Sequence, residues 1–366
     1  MIRIAIDAMG GDLGIPAIIE GTRRALNDWN DFSVLLVGDE ERVRAEIAKI
    51  GWQPGDRVSF RHTTETLDMD DTLVDVRKKR DSSVSGAVNA VRKKDADIAL
   101  AIGNTLAAVA VSTFTYGRMK GVKQPGIIVH MPSKNAIGTC MMLDMGANVN
   151  PLPEHLYMYA AMADTYARLV YGLDKPRIGV LSVGEEDSKG SVMTKRVFEL
   201  LREGELNFIG NVEGGDFLKG HVDIVVTDGF TGNAVLKAVE STANTLLSTI
   251  KEGIASSLVV KFGGLLMKPV FNTIRKMLDW RENAGGLLLG VKGLTVISHG
   301  RADGYAIYKS LETARKLVRV DLLTGLQKSV DVAAAALTKV GADAEAAPSA
   351  PAADSAPAAD SAPDVK

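Results

Sequence analysis

This chain is poor in the features that mark several large protein classes. It has one cysteine, Cys140, in 366 residues. That excludes an internal disulfide framework and fits a reducing compartment. Cys140 lies in the apolar run Ile137 to Leu143, which predicts a buried thiol rather than a reactive one. The formal charge is −2, so no basic excess offers a footprint for nucleic acid. No apolar run approaches the ~20 residues of a membrane span, and MIRIAIDAMGGD is too short for a secretory signal. The five histidines, His62, His130, His155, His221 and His299, show no metal-ligand spacing among themselves or with Cys140. No Gly-x-Gly-x-x-Gly follows the first apolar run, only Met9-Gly10-Gly11-Asp12, which argues against a nicotinamide dinucleotide. Neither a Gly-x-Ser-x-Gly elbow nor a reactive-cysteine signature is present.

What is present is alternation. Short apolar runs at 3–6, 34–37, 98–102, 127–131, 137–144, 178–183 and 294–298 read as strands. Periodic segments at 15–26, 39–50, 82–94, 106–116, 154–171, 192–202 and 303–320 read as helices. This pattern predicts an α/β body of about residues 1–335 on a mostly parallel sheet, as one unit or as two lobes sharing the sheet. Residues 341–366 repeat SAPAAD and carry almost no large apolar side chain, so the sequence predicts a disordered tail there.

Six apolar runs end in glycine beside a carboxylate, amide, lysine or imidazole. They lead into Asp7–Asp12, Gly103–Thr105, Asp144–Asn148, Gly184–Lys189, Thr227–Gly229 and Ser298–Gly300. In an open α/β sheet ligands bind at the carboxyl ends of strands, so the six predict one cleft; turn chemistry alone is the other reading. The fullest example is VDIVVTDGFTGNAVLK at 222–237. It predicts a strand, a glycine loop Gly229–Gly232 and a helix opening at Asn233, capped by Thr231 or Asn233. Such a junction aims free N–H groups at an anion, unless it is a capped turn with no ligand. Lys189 adds a point charge for phosphate in a second loop of this kind.

Residues 254–281 form an amphipathic pair of segments broken at Pro269. Ile254, Leu258, Phe262, Leu265 and Leu266 make one stripe, and Val270, Ile274, Met277 and Leu278 the next, with five lysines and arginines alongside. The pattern fits a helical hairpin that meets either an anionic membrane surface or a dimer partner.

Seven ordered stretches resemble the bacterial phosphate acyltransferases, the acyl-carrier-protein:phosphate transacylases of phospholipid synthesis. They are AIDAMGGD, GNT at 103–105, LDMGANV at 143–149, GVLSVGEEDSKGS at 179–191, NFIGNVEGGDF at 207–217, VDIVVTDGFTGNAVLK and LLLGVKGLTVISHGRAD at 287–303. The chain departs from the family pattern at Leu106-Ala107, at Lys123–Ile127 and at Asn283–Gly286, which touch helix packing and the acyl or substrate wall.

The resemblance implies a three-layer α/β/α sandwich similar to isocitrate and isopropylmalate dehydrogenases and to phosphotransacetylase. It implies a cytoplasmic, peripherally membrane-associated homodimer without cofactor or metal. The substrates would be acyl-acyl-carrier protein and phosphate, and the product would serve a membrane-bound glycerol-3-phosphate acyltransferase. For that reaction Lys189 supplies phosphate charge. Asn233 and the Gly232–Asn233 amides donate to phosphate or oxyanion, and His299 moves a proton or is structural. Gly10, Gly11, Asn104, Thr105, Asn148, Asn211, Gly229, Thr231 and Gly232 complete the expected phosphate and substrate contacts. Two other readings stay open: a short-chain phosphotransacetylase using coenzyme A, or another enzyme on this fold such as a dehydrogenase; and a non-catalytic membrane adaptor.

Overall fold

The structure, a computed structural model, describes residues 1–255 and 257–346. Its strands are β1 (Ile2–Asp7), β2 (Phe32–Gly38), β3 (Val58–His62), β4 (Ile98–Ile102), β5 (Gly126–Pro132), β6 (Thr139–Leu143), β7 (Ile178–Leu181), β8 (Phe208–Val212), β9 (Ile224–Val226), β10 (Gly286–Leu289) and β11 (Thr295–Ser298). They form one sheet in the order β3-β2-β1-β4-β11-β10-β5-β6-β9-β7-β8. The pairings β5–β6, β5–β10 and β10–β11 are antiparallel, and the others described are parallel.

The helices are α1 (Gly14–Asp28), α2 (Glu40–Lys49), α3 (Leu73–Lys78), α4 (Ser83–Arg92), α5 (Thr105–Tyr116), α6 (Pro153–Tyr171), α7 (Val192–Glu203), α8 (Asp216–Lys219), α9 (Gly229–Ala255), α10 (Leu258–Leu266), α11 (Lys268–Leu278), α12 (Gly304–Arg319) and α13 (Leu322–Ala346). They lie on both faces of the sheet, and the period-2 alternation of each strand feeds both. On β1, Ile4 and Ile6 join a cluster with Ile18 of α1 and Leu311 of α12, while Ala5 joins Val88 of α4 and Val111 of α5. On β6, Met141 and Leu143 face Tyr159 and Met162 of α6, while Cys140 and Met142 face Val235 and Leu236 of α9. The result is a three-layer α/β/α sandwich. Cys140 is buried, and burial pushes its thiol pKa far above the usual range.

Two boundaries differ from expectation. α9 begins at Gly229, so the expected glycine loop is its first turn. α13 runs to Ala346, six residues into the expected tail, and 347–366 lie outside the described residues.

The antiparallel strands place chemistry. β11 runs parallel to β4, and Gly286 of β10 pairs with Ile297 of β11. The start of β10 therefore lies at the edge where β4 and β11 end. The start of β5 likewise meets the end of β6, because Val129 pairs with Met142.

Candidate functional site

The six expected strand ends divide between two edges: β1, β4 and β11 end at one, and β6, β7 and β9, which run antiparallel to them, end at the other. At the first edge the loops tie to one another. The Asp12 N–H donates to Gly300 O at 2.7 Å, joining the β1 and β11 ends. Gly10 and Gly11 pack against Ile102 and Gly300, and neither lines the main cavity. Asn104 caps α5: its Oδ1 accepts from Ala107 N at 2.9 Å, and its Nδ2 donates to Asp68 O at 2.9 Å and Met69 O at 3.2 Å. Its amide thus holds the 68–71 loop rather than standing free. The α5 N-terminus, Gly103 to Leu106, faces a cavity of about 490 Å³.

Asp144, at the end of β6, is a buried hub. Oδ1 accepts from Ile127 N at 3.0 Å, Gly146 N at 3.2 Å and Ala147 N at 3.1 Å. Oδ2 accepts from Asn148 N at 2.7 Å. Burial pushes this carboxyl's pKa up, and these hydrogen bonds oppose the rise. The Asn148 amide donates to Tyr159 Oη at 2.8 Å, to Asp144 Oδ2 and to Pro125 O. An Asn148 expected at phosphate is therefore engaged inside the loop.

Three N–H groups in the first turn of α9, where an anion cradle was expected, already have partners. Gly229 N donates to Asn148 O at 2.8 Å, Gly232 N to Asp228 O at 2.9 Å, and Thr231 N to Asp228 Oδ1 at 2.8 Å. The Thr231 hydroxyl donates to Asp228 Oδ2 at 2.7 Å. Asp228, not Thr231 or Asn233, is the cap, and its carboxylate sits where an anion would otherwise dock. The glycines serve close approach: a Cβ on Gly232 would lie 2.1 Å from Asp144 O, and one on Gly229 2.6 Å from Asn148 O.

Lys189 is exposed in the loop after β7, with its N–H on Glu186 O at 2.9 Å. Asn211 is buried on β8 and donates to the same Glu186 O at 2.7 Å. Neither lines the cavity. Of the residues expected at the site, the cavity gathers Asn104, Thr105, Asn233 and His299.

Its apolar wall comes from Ile127, Val129 and Met131 of β5, Leu236, Val239 and Ala243 of α9, and Trp280. Leu106, Ile127 and Asn283–Gly286, where the sequence departs from the family pattern, all line it. His299 lies under the Trp280 ring, centroids 5.3 Å apart. Lys237 Nζ lies 2.7 Å from His299 Nε2 and 3.1 Å from Glu240 Oε2, and the latter is 3.8 Å from His299 Nε2. Burial, then the Lys237 charge, holds the His299 pKa below its ordinary value.

Sequence reasoning missed Lys237 and Glu240. The signal was available: Asn233, Lys237 and Glu240 stand at i, i+4 and i+7, one face of a helix.

The family described as fatty acid synthesis protein matches residues 2–324. The phosphate acyltransferase of Geobacillus sp. strain WCH70 is 39% identical over 331 residues, covering 90% of this chain and 99% of that one. That of Streptococcus pneumoniae strain ATCC 700669 / Spain 23F-1 is 40% identical over 326 residues, covering 88% and 97%. Among solved structures, a branched-chain phosphotransacylase from Enterococcus faecalis V583 is similar with TM-score 0.57 and 17% identity, covering 87% of this chain and 100% of that one. A phosphotransacetylase from Streptococcus pyogenes gives 0.54 and 17%, covering 92% and 94%. A 4-hydroxythreonine-4-phosphate dehydrogenase from Klebsiella pneumoniae gives 0.52 and 11%, covering 87% and 99%. At such identities the likeness is one of fold.

Proposed function

As this chain belongs to the fatty acid synthesis protein family, with the phosphate acyltransferases as its relatives, we propose that it moves a fatty acyl group from acyl-acyl-carrier protein to orthophosphate. The observation that carries this reading is the two-part cavity. Polar groups of Asn233, Lys237, His299 and the α5 N-terminus share it with a wall of aliphatic and aromatic side chains. One part suits phosphate and the thioester carbonyl, the other a fatty chain.

A phosphate oxygen attacks the thioester carbon. The C–O bond forms, the C–S bond breaks, and the pantetheine sulfur leaves. Phosphate is the nucleophile, so the enzyme's work is positioning and charge. The α5 N-terminus and Lys237 suit the phosphate, and Asn233 suits the oxyanion that develops. Lys189, in the loop after β7 and outside the cavity lining, is a further cation that this reading assigns to phosphate. Buried Cys140 has no part in the step.

The acyl-phosphate then passes to a membrane-bound glycerol-3-phosphate acyltransferase. α10 and α11 support a membrane-facing role: no described residue of either is buried, and Phe262, Leu265 and Leu266 are 66%, 63% and 69% exposed. No described helix is long and apolar enough to cross a membrane, so contact would be peripheral. A homodimer and a cytoplasmic location complete the reading.

The test is acyl-phosphate formation from phosphate and matched donors, long-chain acyl-carrier protein against acetyl-coenzyme A. A preference for acetyl-coenzyme A would replace this reading with a short-chain phosphotransacetylase. No turnover of either donor, with vesicle binding intact, would leave a membrane adaptor.

A further inference from the structure

Two donors converge on one imidazole in the cavity. The Arg301 N–H points at His299 Nδ1 at 3.0 Å, and Lys237 Nζ lies 2.7 Å from Nε2. A neutral imidazole accepts at only one nitrogen, and a protonated one at neither. With Lys237 donating to Nε2, the ring proton sits on Nδ1 against the Arg301 N–H. Both contacts therefore disfavour the imidazolium, and the lone pair on Nε2 is covered by a cation. Glu240 lies within reach of both, 3.1 Å from Lys237 Nζ and 3.8 Å from His299 Nε2. The charged groups acting on His299 are Lys237 and Glu240 from α9, Arg301 from its own loop and Asp12 from the β1 loop.

We propose that Lys237 is a phosphate-binding catalytic residue that exchanges partners, leaving His299 Nε2 for a phosphate oxygen and so freeing His299 to act as the base. This rests on the acyl-transfer reading above. When phosphate enters, the ammonium turns to its negative oxygens, and the phosphate hydroxyl takes the vacated place on Nε2. As the C–O bond forms, that hydroxyl's proton passes to Nε2. As the C–S bond breaks, the leaving sulfur takes the electron pair and then the proton from Nε2. Glu240 holds the lysine in reach and offsets the imidazolium charge while it lasts. Atoms and charge balance without another reactant.

The device has a signature that a structural role lacks. Removing Lys237 takes away a charge that disfavours imidazolium, so the His299 pKa rises. Removing the Glu240 charge takes away one that favours it, so the pKa falls. In the full-length protein, NMR titration of the His299 ring should show Lys237→Met moving the midpoint up and Glu240→Gln moving it down, each by roughly one pH unit. The acid limb of kcat/KM should follow in the same directions, since activity needs the unprotonated ring. Lys237→Met should also raise KM for phosphate roughly tenfold to a hundredfold, with partial rescue in Lys237→Arg. Inorganic phosphate should raise the wild-type His299 midpoint and do so less in Lys237→Met.

Midpoints that move the same way in both variants, or stay put, would overturn the exchange, as would a phosphate effect unchanged by Lys237→Met. The acyl-transfer reading fails separately: a wild type that makes no acyl-phosphate, yet shows the opposed shifts and the phosphate effect, loses the reaction and keeps the phosphate site.

Discussion

Asp144 holds Asn148 by both its backbone and its side chain: Oδ2 accepts the Asn148 N–H at 2.7 Å and its amide at 3.2 Å. With Ile127, Gly146 and Ala147 on Oδ1, one carboxylate organises the β6 end and the start of β5. Asp144→Ala leaves those donors without their acceptor. At about 1–3 kcal/mol for the buried Ile127 donor, and less for the three that water can reach, the loss should be about 2–3 kcal/mol in urea unfolding. Asp144→Asn keeps one acceptor oxygen and should lose less. An unchanged midpoint for the alanine variant would show that water replaces the carboxylate.

Lys189 stands outside the cavity lining, so its substitution tests how far the phosphate charge extends. Lys189→Ala should lower turnover by roughly 10², the common worth of one preorganised charge. The fold should survive, because the residue is exposed. Full activity in a folded Lys189→Ala protein would leave the phosphate charge to Lys237.

Arg177 grips Asp223 between β7 and β9 with its N–H, Nε and Nη2, each at 2.9 Å. Burial opposes the Asp223 charge, but the hydrogen bonds from Arg177 and Asn135 outweigh it and hold the carboxyl below the usual range. A lowered carboxyl stabilises the fold fully above the unfolded value near pH 4 and loses that contribution as pH falls through the lower folded value. Asp223→Asn should cost about 1–2 kcal/mol at pH 7, toward the low end because Arg177 is 40% exposed. The variant should also lose less stability than wild type between pH 5 and about pH 2. Parallel urea-midpoint curves across that range would assign the acid sensitivity elsewhere.

Replacing both Leu265 and Leu266 with Asp should release the protein from anionic vesicles while leaving turnover of soluble acyl-carrier protein intact. Each leucine is more than 60% exposed, and its burial in a lipid interface would add about 1.5–3 kcal/mol. Flotation and gel filtration on one sample separate the outcomes. Loss of the assembled state or of the fold, with vesicle binding retained, would make the stripe a packing surface.

Much of the interior was readable because central strands buried on both faces show as apolar runs, as Ile98–Ile102 does and as β6 does from Cys140 to Leu143. The edges were not. β3 and β8 bury little, and Arg61, His62 and Asn211 interrupt their patterns. β10, although central in the sheet, also escaped, because it is four residues in a glycine-flanked run too short to show a period. At the site, the loops were legible from their glycines and polar residues, but neither their hydrogen bonds nor their division between two edges, imposed by the antiparallel pairings of β5 and β10, was. Asn104 and Asn148 have the chemistry of ligand contacts and are held by local carbonyls instead. Asp228 gave no sign in sequence whether it repels an anion or replaces one. Lys237 and Glu240 share a face with Asn233 only once α9 is seen to start at Gly229, because a helix face needs its true start before its spacing can be read.

The length of α9 has a mechanical side. It is 27 residues, about 40 Å of helix, and among its residues only Gly229, Gly232 and Ala243 are buried. Asn148 and Asp228 clamp its first turn, Val235, Leu236 and Val239 hold the next turns on the sheet, and its far end carries α10 and α11. This is a cantilever, with Asn233, Lys237 and Glu240 seated next to the clamp. A sideways load on the far end becomes torque at the wall of the cavity.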